Sequence, residues 1–147
     1  MPVDASRRLA QWLAVAVGGA FGTLVRYEVT LAFPAGSAQF PWAIMLVNVV
    51  GCVVVGVVMA AMRARPGIPD GVRLFVVVGV CGGLTTFSTW MVADVLLVHD
   101  GAPAMALLDV LVSLVAGMAA VWFGFRATSI TLGVPRGGDV LDVREAD

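Results

Sequence analysis

Charge is what this 147-residue sequence has least of: only 13% of its residues are Asp, Glu, Lys or Arg, against about a quarter in soluble domains. A chain so poor in charge cannot cover a water-facing surface, which excludes a soluble enzyme. Lysine is absent altogether, so all 9 cations are arginine, and a net charge of −1 offers nucleic acid no basic footprint. Cysteine occurs twice, as Cys52 and Cys81, both inside apolar runs. The pair makes neither a disulfide framework nor a metal motif, and each reads as a small buried hydrophobe. The single histidine, His99, has no companion ligands and takes no role. No cluster of histidines and carboxylates marks a catalytic centre.

Apolar residues fill the space that charge leaves. They make up 60% of the chain, and the mean hydropathy is +0.97. They gather in four runs, placing spans at about 9–27, 42–62, 74–98 and 102–125. A bilayer core of about 30 Å needs roughly 20 helical residues, so each run is long enough to cross. The expected fold is an all-α integral membrane protein with four transmembrane helices. Arg7-Arg8 before an apolar run has the look of a secretory signal, but three further spans follow it. Pro34, Gly36 and Pro41 punctuate the first connection, and Pro66, Gly67, Pro69 and Gly71 the second. Residues 1–126 read as one four-helix domain and the polar, Gly-rich 127–147 as a disordered cytoplasmic tail.

The arginines set the orientation. Arg7, Arg8, Arg63, Arg65, Arg73, Arg126, Arg136 and Arg144 fall on one side, and Arg26 alone on the other. The positive-inside rule then places both termini in the cytoplasm, with the chain in the plasma (inner) membrane. Discounting the three arginines from 126 onward leaves 5 against 1, so a single orientation is expected.

Polar groups inside a membrane are costly and tend to mark working sites. Asn48, the polar residue of span 2, donates hydrogen bonds without repelling an anion; the plainer reading is interhelical glue worth ~0.6 kcal/mol. In span 3, Gly82-Gly83-Leu84-Thr85-Thr86-Phe87-Ser88-Thr89-Trp90 makes a poor continuous helix, because Gly costs about 1 kcal/mol relative to Ala and Thr is also unfavourable. A break at that depth is tolerated only where protein buries it or it lines a cavity, and freed carbonyls there can bind a cation. The competing reading is a Gly-rich packing face with its hydroxyls bonded back to the helix. Gly18-Gly19-Ala20-Phe21-Gly22 in span 1 lets helices approach closely. Asp109, Ser113 and Gly117 share one face of span 4. A carboxylate there costs about 2.5–3.5 kcal/mol and needs a partner, water or a proton. Asp94 is expected at the membrane boundary.

Three motifs carry a resemblance: Gly18-Gly19-x-x-Gly22-x-x-x-Arg26-Tyr27, Val47-Asn48-x-x-Gly51, and Gly82-Gly83-Leu84-Thr85-Thr86-Phe87-Ser88-Thr89. Over residues 9–126 the sequence resembles the Fluc (CrcB) fluoride channels. The resemblance implies an antiparallel dimer with its third helix broken at the centre and two fluoride pores along the subunit interface. It also implies a central structural Na⁺ held by the backbone carbonyls of Gly82 and Thr85. Asn48 matches the pore asparagine, Phe87 and Trp90 stand where the family has two phenylalanines, and Arg26 matches an arginine near the vestibule. Hydroxyls of Ser88, Thr89 and Ser113 add donors for a strongly hydrated anion, as do aromatic ring edges. Trp90 and Asp109 depart from the family's pattern, Asp109 standing where many relatives have a tyrosine. Both weigh on whether each pore conducts.

The expected function is passive fluoride export that lowers fluoride toxicity, with fluoride and the lipid bilayer as partners. Two readings compete with it. A small proton-coupled antiporter also uses four short spans, but it wants a carboxylate in the core of span 1, and there is none. A non-conducting subunit of a heterodimeric fluoride channel is the other. The arginine bias favours a related, oppositely oriented second chain, since an antiparallel homodimer needs one sequence to insert both ways.

Overall fold

Four helical spans carry the architecture: Ala5–Ala32, Trp42–Ala64, Asp70–His99 and Pro103–Thr131. The structure is a computed structural model that describes residues 5–36 and 38–134. The shortest span has 23 residues and rises about 35 Å, enough to cross a bilayer core. The first helix, α1 (Ala5–Ala32), and the second, α2 (Trp42–Ala64), are continuous. The third span is built in pieces: α3 (Asp70–Arg73), a wider π-helical segment (Leu74–Cys81), α4 (Gly82–Leu84) and α5 (Ser88–His99). The fourth is α6 (Pro103–Thr131).

The break expected in span 3 is present. Thr85 adopts an extended backbone, with φ −79° and ψ 153°, and residues 85–87 separate the two halves of the span. The π-helical stretch before it has no sequence signal, because its residues are all apolar or glycine.

Two helices outrun their apolar runs. α1 continues to Ala32, just short of Pro34, and α6 continues to Thr131. The expectation that an unstructured tail starts at 127 is therefore corrected: residues 127–131 are helical. Nothing in Ala127-Thr128-Ser129-Ile130-Thr131 breaks a helix, and the chain first turns at Gly133, whose φ of +63° is open to glycine. The rest of the expected tail, from 135 onward, lies outside the described residues.

The spans pack as two parallel pairs. α1 lies against the first half of span 3 along Gly18, Gly22, Gly79 and Gly83; a Cβ at Gly18, Gly22 or Gly83 would overlap backbone of the opposite helix. Arg7 and Asp70 meet at 3.8 Å where both helices start. α2 lies against α6 in the same way, with Gly56 against the Val121 carbonyl and Gly124 against the Val53 carbonyl. Small residues at such seams let helices approach where lipid gives no hydrophobic drive. Large apolar side chains point outward instead, Trp12, Leu13, Val17 and Phe21 among them.

Candidate functional site

A broken helix leaves backbone groups that must find other partners. Residues 81–89 meet this demand in a specific way. In an unbroken helix the Thr86 N–H would bond the Gly82 carbonyl, and the Thr89 N–H would bond the Thr85 carbonyl. Here the Thr86 N–H donates instead to Asn48 Oδ1 at 2.9 Å, and the Thr89 N–H donates to Thr86 Oγ1 at 3.1 Å. Both donors are diverted, and no other hydrogen bond among the described residues reaches the Gly82 or Thr85 carbonyl. These two oxygens are the pair that the resemblance implies for Na⁺, and open carbonyl oxygens are ligands that suit a hard cation.

Asn48 acts from α2 as a two-sided clamp. Its Oδ1 accepts the Thr86 N–H while its Nδ2 donates to the Thr86 carbonyl at 3.3 Å. The amide copies a backbone partner and still has one N–H to give. Gly51, one turn further along α2, makes the contact possible: a Cβ there would run into the Thr85 methyl. Thr86 is buried and ties the site together, since its hydroxyl also donates to Thr89 Oγ1 at 2.9 Å. It accepts a backbone N–H in the manner of a helix cap for α5. Sequence reasoning placed Thr86 in the motif without giving it a role. The available signal was its position three residues before Thr89.

Beside the break lies a groove of about 420 Å³ lined by Asn48, Gly51, Cys81, Gly82, Thr85, Thr86, Phe87 and Trp90 among others, and no charged side chain among the described residues lines it. Phe87 is 71% exposed, and its ring meets Trp90 edge to face, with centroids 5.8 Å apart at 82°. Trp90 turns its other side inward. Its Nε1–H donates to Asp109 Oδ2 at 2.8 Å, and the Ser113 hydroxyl donates to Asp109 Oδ1 at 2.9 Å. Asp109 is completely buried.

The structure thus brings together Asn48, Phe87, Trp90, Gly82 and Thr85 around one groove. Ser113 joins through Asp109 rather than directly, and its hydroxyl and the Trp90 N–H are both already committed to that carboxyl. Ser88 and Thr89 are exposed at the start of α5. Arg26 is half-buried on α1, and among the described residues no hydrogen bond or ion pair links it to the groove. Asp94, expected at the membrane boundary, is covered by protein: it is 8% exposed, and neither carboxyl oxygen has a partner among the described residues. Its place one turn after Trp90, on the same face of α5, was the sign that it points toward α6.

Trp90→Phe is expected to cost about 1–3 kcal/mol, because it removes a donor from a buried carboxyl while keeping the ring. A lower melting temperature in detergent, with Phe87→Ile unchanged beside it, checks this.

The sequence was also compared with known proteins. Residues 13–125 match the family model described as CrcB-like protein, Camphor Resistance (CrcB). A protein of Nitrobacter winogradskyi named "Fluoride-specific ion channel FluC" is 35% identical over 119 residues, covering 80% of this chain and 94% of that one. Its namesake in Methylobacterium sp. (strain 4-46) is 38% identical over 113 residues, covering 77% and 91%. Another in Pseudomonas fluorescens is 38% identical over 119 residues, covering 80% and 96%.

Proposed function

The chain belongs to the CrcB-like family, and on that premise we propose that it is a fluoride-selective ion channel that lets cytoplasmic fluoride leave passively. The observation that carries this reading is the clamp at Thr86. It leaves an amide N–H of Asn48 beside an uncharged groove, next to the exposed ring of Phe87. Fluoride is small and holds its water tightly, so a path through lipid must replace that water with fixed donors and offer no negative charge. An amide N–H supplies such a donor, and a phenyl edge carries the positive part of the ring quadrupole. Cells deprived of their own fluoride export should retain less fluoride when they express this chain together with its related partner of opposite orientation. Retention equal to that of cells without it would count against the reading.

Three further parts of the proposal concern assembly. Two chains pair antiparallel, and the carbonyl oxygens of Gly82 and Thr85, with their counterparts in the other chain, would hold a sodium ion between them. Sodium bound there would supply positive charge that offsets the cost of an anion in a low-dielectric interior. The diverted N–H groups of Thr86 and Thr89 support this, because they leave those carbonyls open. An added Cβ at Gly82 meets nothing within 4 Å among the described residues, which suits a surface that another subunit approaches.

The arginine count, 8 against 1, supports a topology with both termini cytoplasmic. It also supports a related partner of opposite orientation. Reporters fused after residue 147 should read from one side of the membrane only; substantial signal from both sides would mean dual insertion and a homodimer.

Asp109 favours a second reading for one pore. It holds the Trp90 and Ser113 donors that an anion would use, so the pore lined by this chain's α6 conducts weakly or not at all in that state.

Phe87→Ile separates the pore role from packing. The ring is mostly exposed, so stability should change by less than about 0.5 kcal/mol. Fluoride flux should fall about fivefold to tenfold with loss of the ring edge. Unchanged efflux from proteoliposomes would remove Phe87 from the path.

A further inference from the structure

We propose that Asp94 and Asp109 form a shared proton-binding site inside the membrane, and that its occupancy controls anion passage along the Trp90–Ser113 face. Asp109 is fully buried and accepts from Trp90 Nε1 and Ser113 Oγ. Asp94 sits one turn after Trp90 on α5, more than nine-tenths buried, with both carboxyl oxygens unpartnered among the described residues. α5 and α6 pack as a hairpin about the turn at Gly101, seven residues after Asp94 and eight before Asp109, so the two carboxyls stand at the same level of that contact. A carboxyl with no donor is costly to bury, and a second one facing it across the contact adds to that cost. A single proton resolves the conflict: it neutralises one carboxyl and gives it an O–H to donate to its neighbour.

No other group on the packed elements does that work. On α5 the remaining ionisable side chain is His99, exposed and 3.3 Å from Asp100. On α6 it is Arg126, about 25 Å along the helix from Asp109. On α2 they are Cys52, which faces Gly117 two turns away, and Arg63 in the last turn. In the first half of span 3 they are Asp70, Arg73 and Cys81, on the far side of the break. The described residues 33–36 and 38–41, which pack against α5, carry no ionisable side chain.

A metal ion fits less well than a proton. Hard cations such as Mg²⁺ take about six oxygens, whereas both oxygens of Asp109 are already bonded and only those of Asp94 are open. No group of three or more His, Cys, Asp or Glu gathers among the described residues.

The proton site stands on geometry alone; its control of flux rests on the fluoride-channel reading. With the proton absent, negative charge lies behind Trp90, the groove-lining residue whose N–H it holds together with the Ser113 hydroxyl. With the proton bound, that repulsion is relieved.

The complex recovered from membranes by a tag on this chain is titrated by infrared spectroscopy from about pH 5 to about pH 9. A protonated-carboxyl C=O band that fades as pH rises, and is missing in both Asp94→Asn and Asp109→Asn, is the expected result. Absence of any band sensitive to either substitution overturns the site. The same complex in liposomes should pass fluoride several-fold faster at about pH 6 than at about pH 8, after subtracting protein-free vesicles, and Asp109→Asn should flatten the profile. Equal wild-type rates at the two pH values overturn the control of flux. A titrating band with no fluoride flux at any pH supports the proton site and contradicts the channel reading.

Discussion

Asn48→Asp is expected to reduce fluoride efflux from proteoliposomes by a factor on the order of 10² to 10³. Two effects add. The substitution keeps size and leaves one oxygen to accept the Thr86 N–H, but sets a second oxygen against the Thr86 carbonyl that Asn48 Nδ2 now serves. Leaving that carbonyl without its donor costs about 1–3 kcal/mol. The new carboxylate also stands beside the groove, where at an effective dielectric near 20 it repels an anion about 4 Å away by about 4 kcal/mol. Packing is otherwise kept, so the variant should still purify as a folded assembly. Efflux close to wild type would show that the ion does not pass Asn48.

Gly22→Val should have the largest effect on the fold. A Cβ at Gly22 would overlap the Val80 carbonyl and come within 2.8 Å of the Leu84 N. Both obstacles are backbone, so no rotamer change relieves them, and α1 must move away from the third span. Overpacking of this kind costs about 1–3 kcal/mol or more, a large share of the 5–15 kcal/mol that holds most proteins together. The expected outcome is little folded protein in detergent. Gly19→Ala is the control: its Cβ would lie 3.9 Å from the Gly79 carbonyl, an ordinary contact. Equal yields and melting temperatures for the two variants would mean that this seam does not set the packing.

Much of this was legible in the sequence because lipid is a strict solvent. It admits apolar helices and little else, so four runs with few charges could be read directly as spans. Gly82-Gly83 followed by four hydroxyl residues signalled the break for the same reason: nothing there favours an uninterrupted helix. Register between helices was not legible. That Asn48 faces Thr86 on both its backbone groups depends on how α2 slides against the third span, which Gly51 against Thr85 helps to fix. The covering of Asp94 was not legible, because distance from the end of an apolar run says little about which neighbour covers a side chain. It lies one turn from Trp90, whose N–H reaches Asp109 on α6. The ends of α1 and α6 were misplaced because a helix keeps its hydrogen bonds past the apolar run until a breaker such as Pro34 or Gly133 stops it.

The central claim is that this chain forms a fluoride path at the Asn48-clamped break of its third span. Its most direct test is ion efflux from liposomes carrying the complex recovered by a tag on this chain, with fluoride or chloride as the trapped anion. The account predicts rapid loss of fluoride, retention of chloride, and slower fluoride loss when Phe87 is replaced by Ile. Fluoride leaving no faster than from protein-free liposomes, or chloride leaving as fast as fluoride, would contradict it.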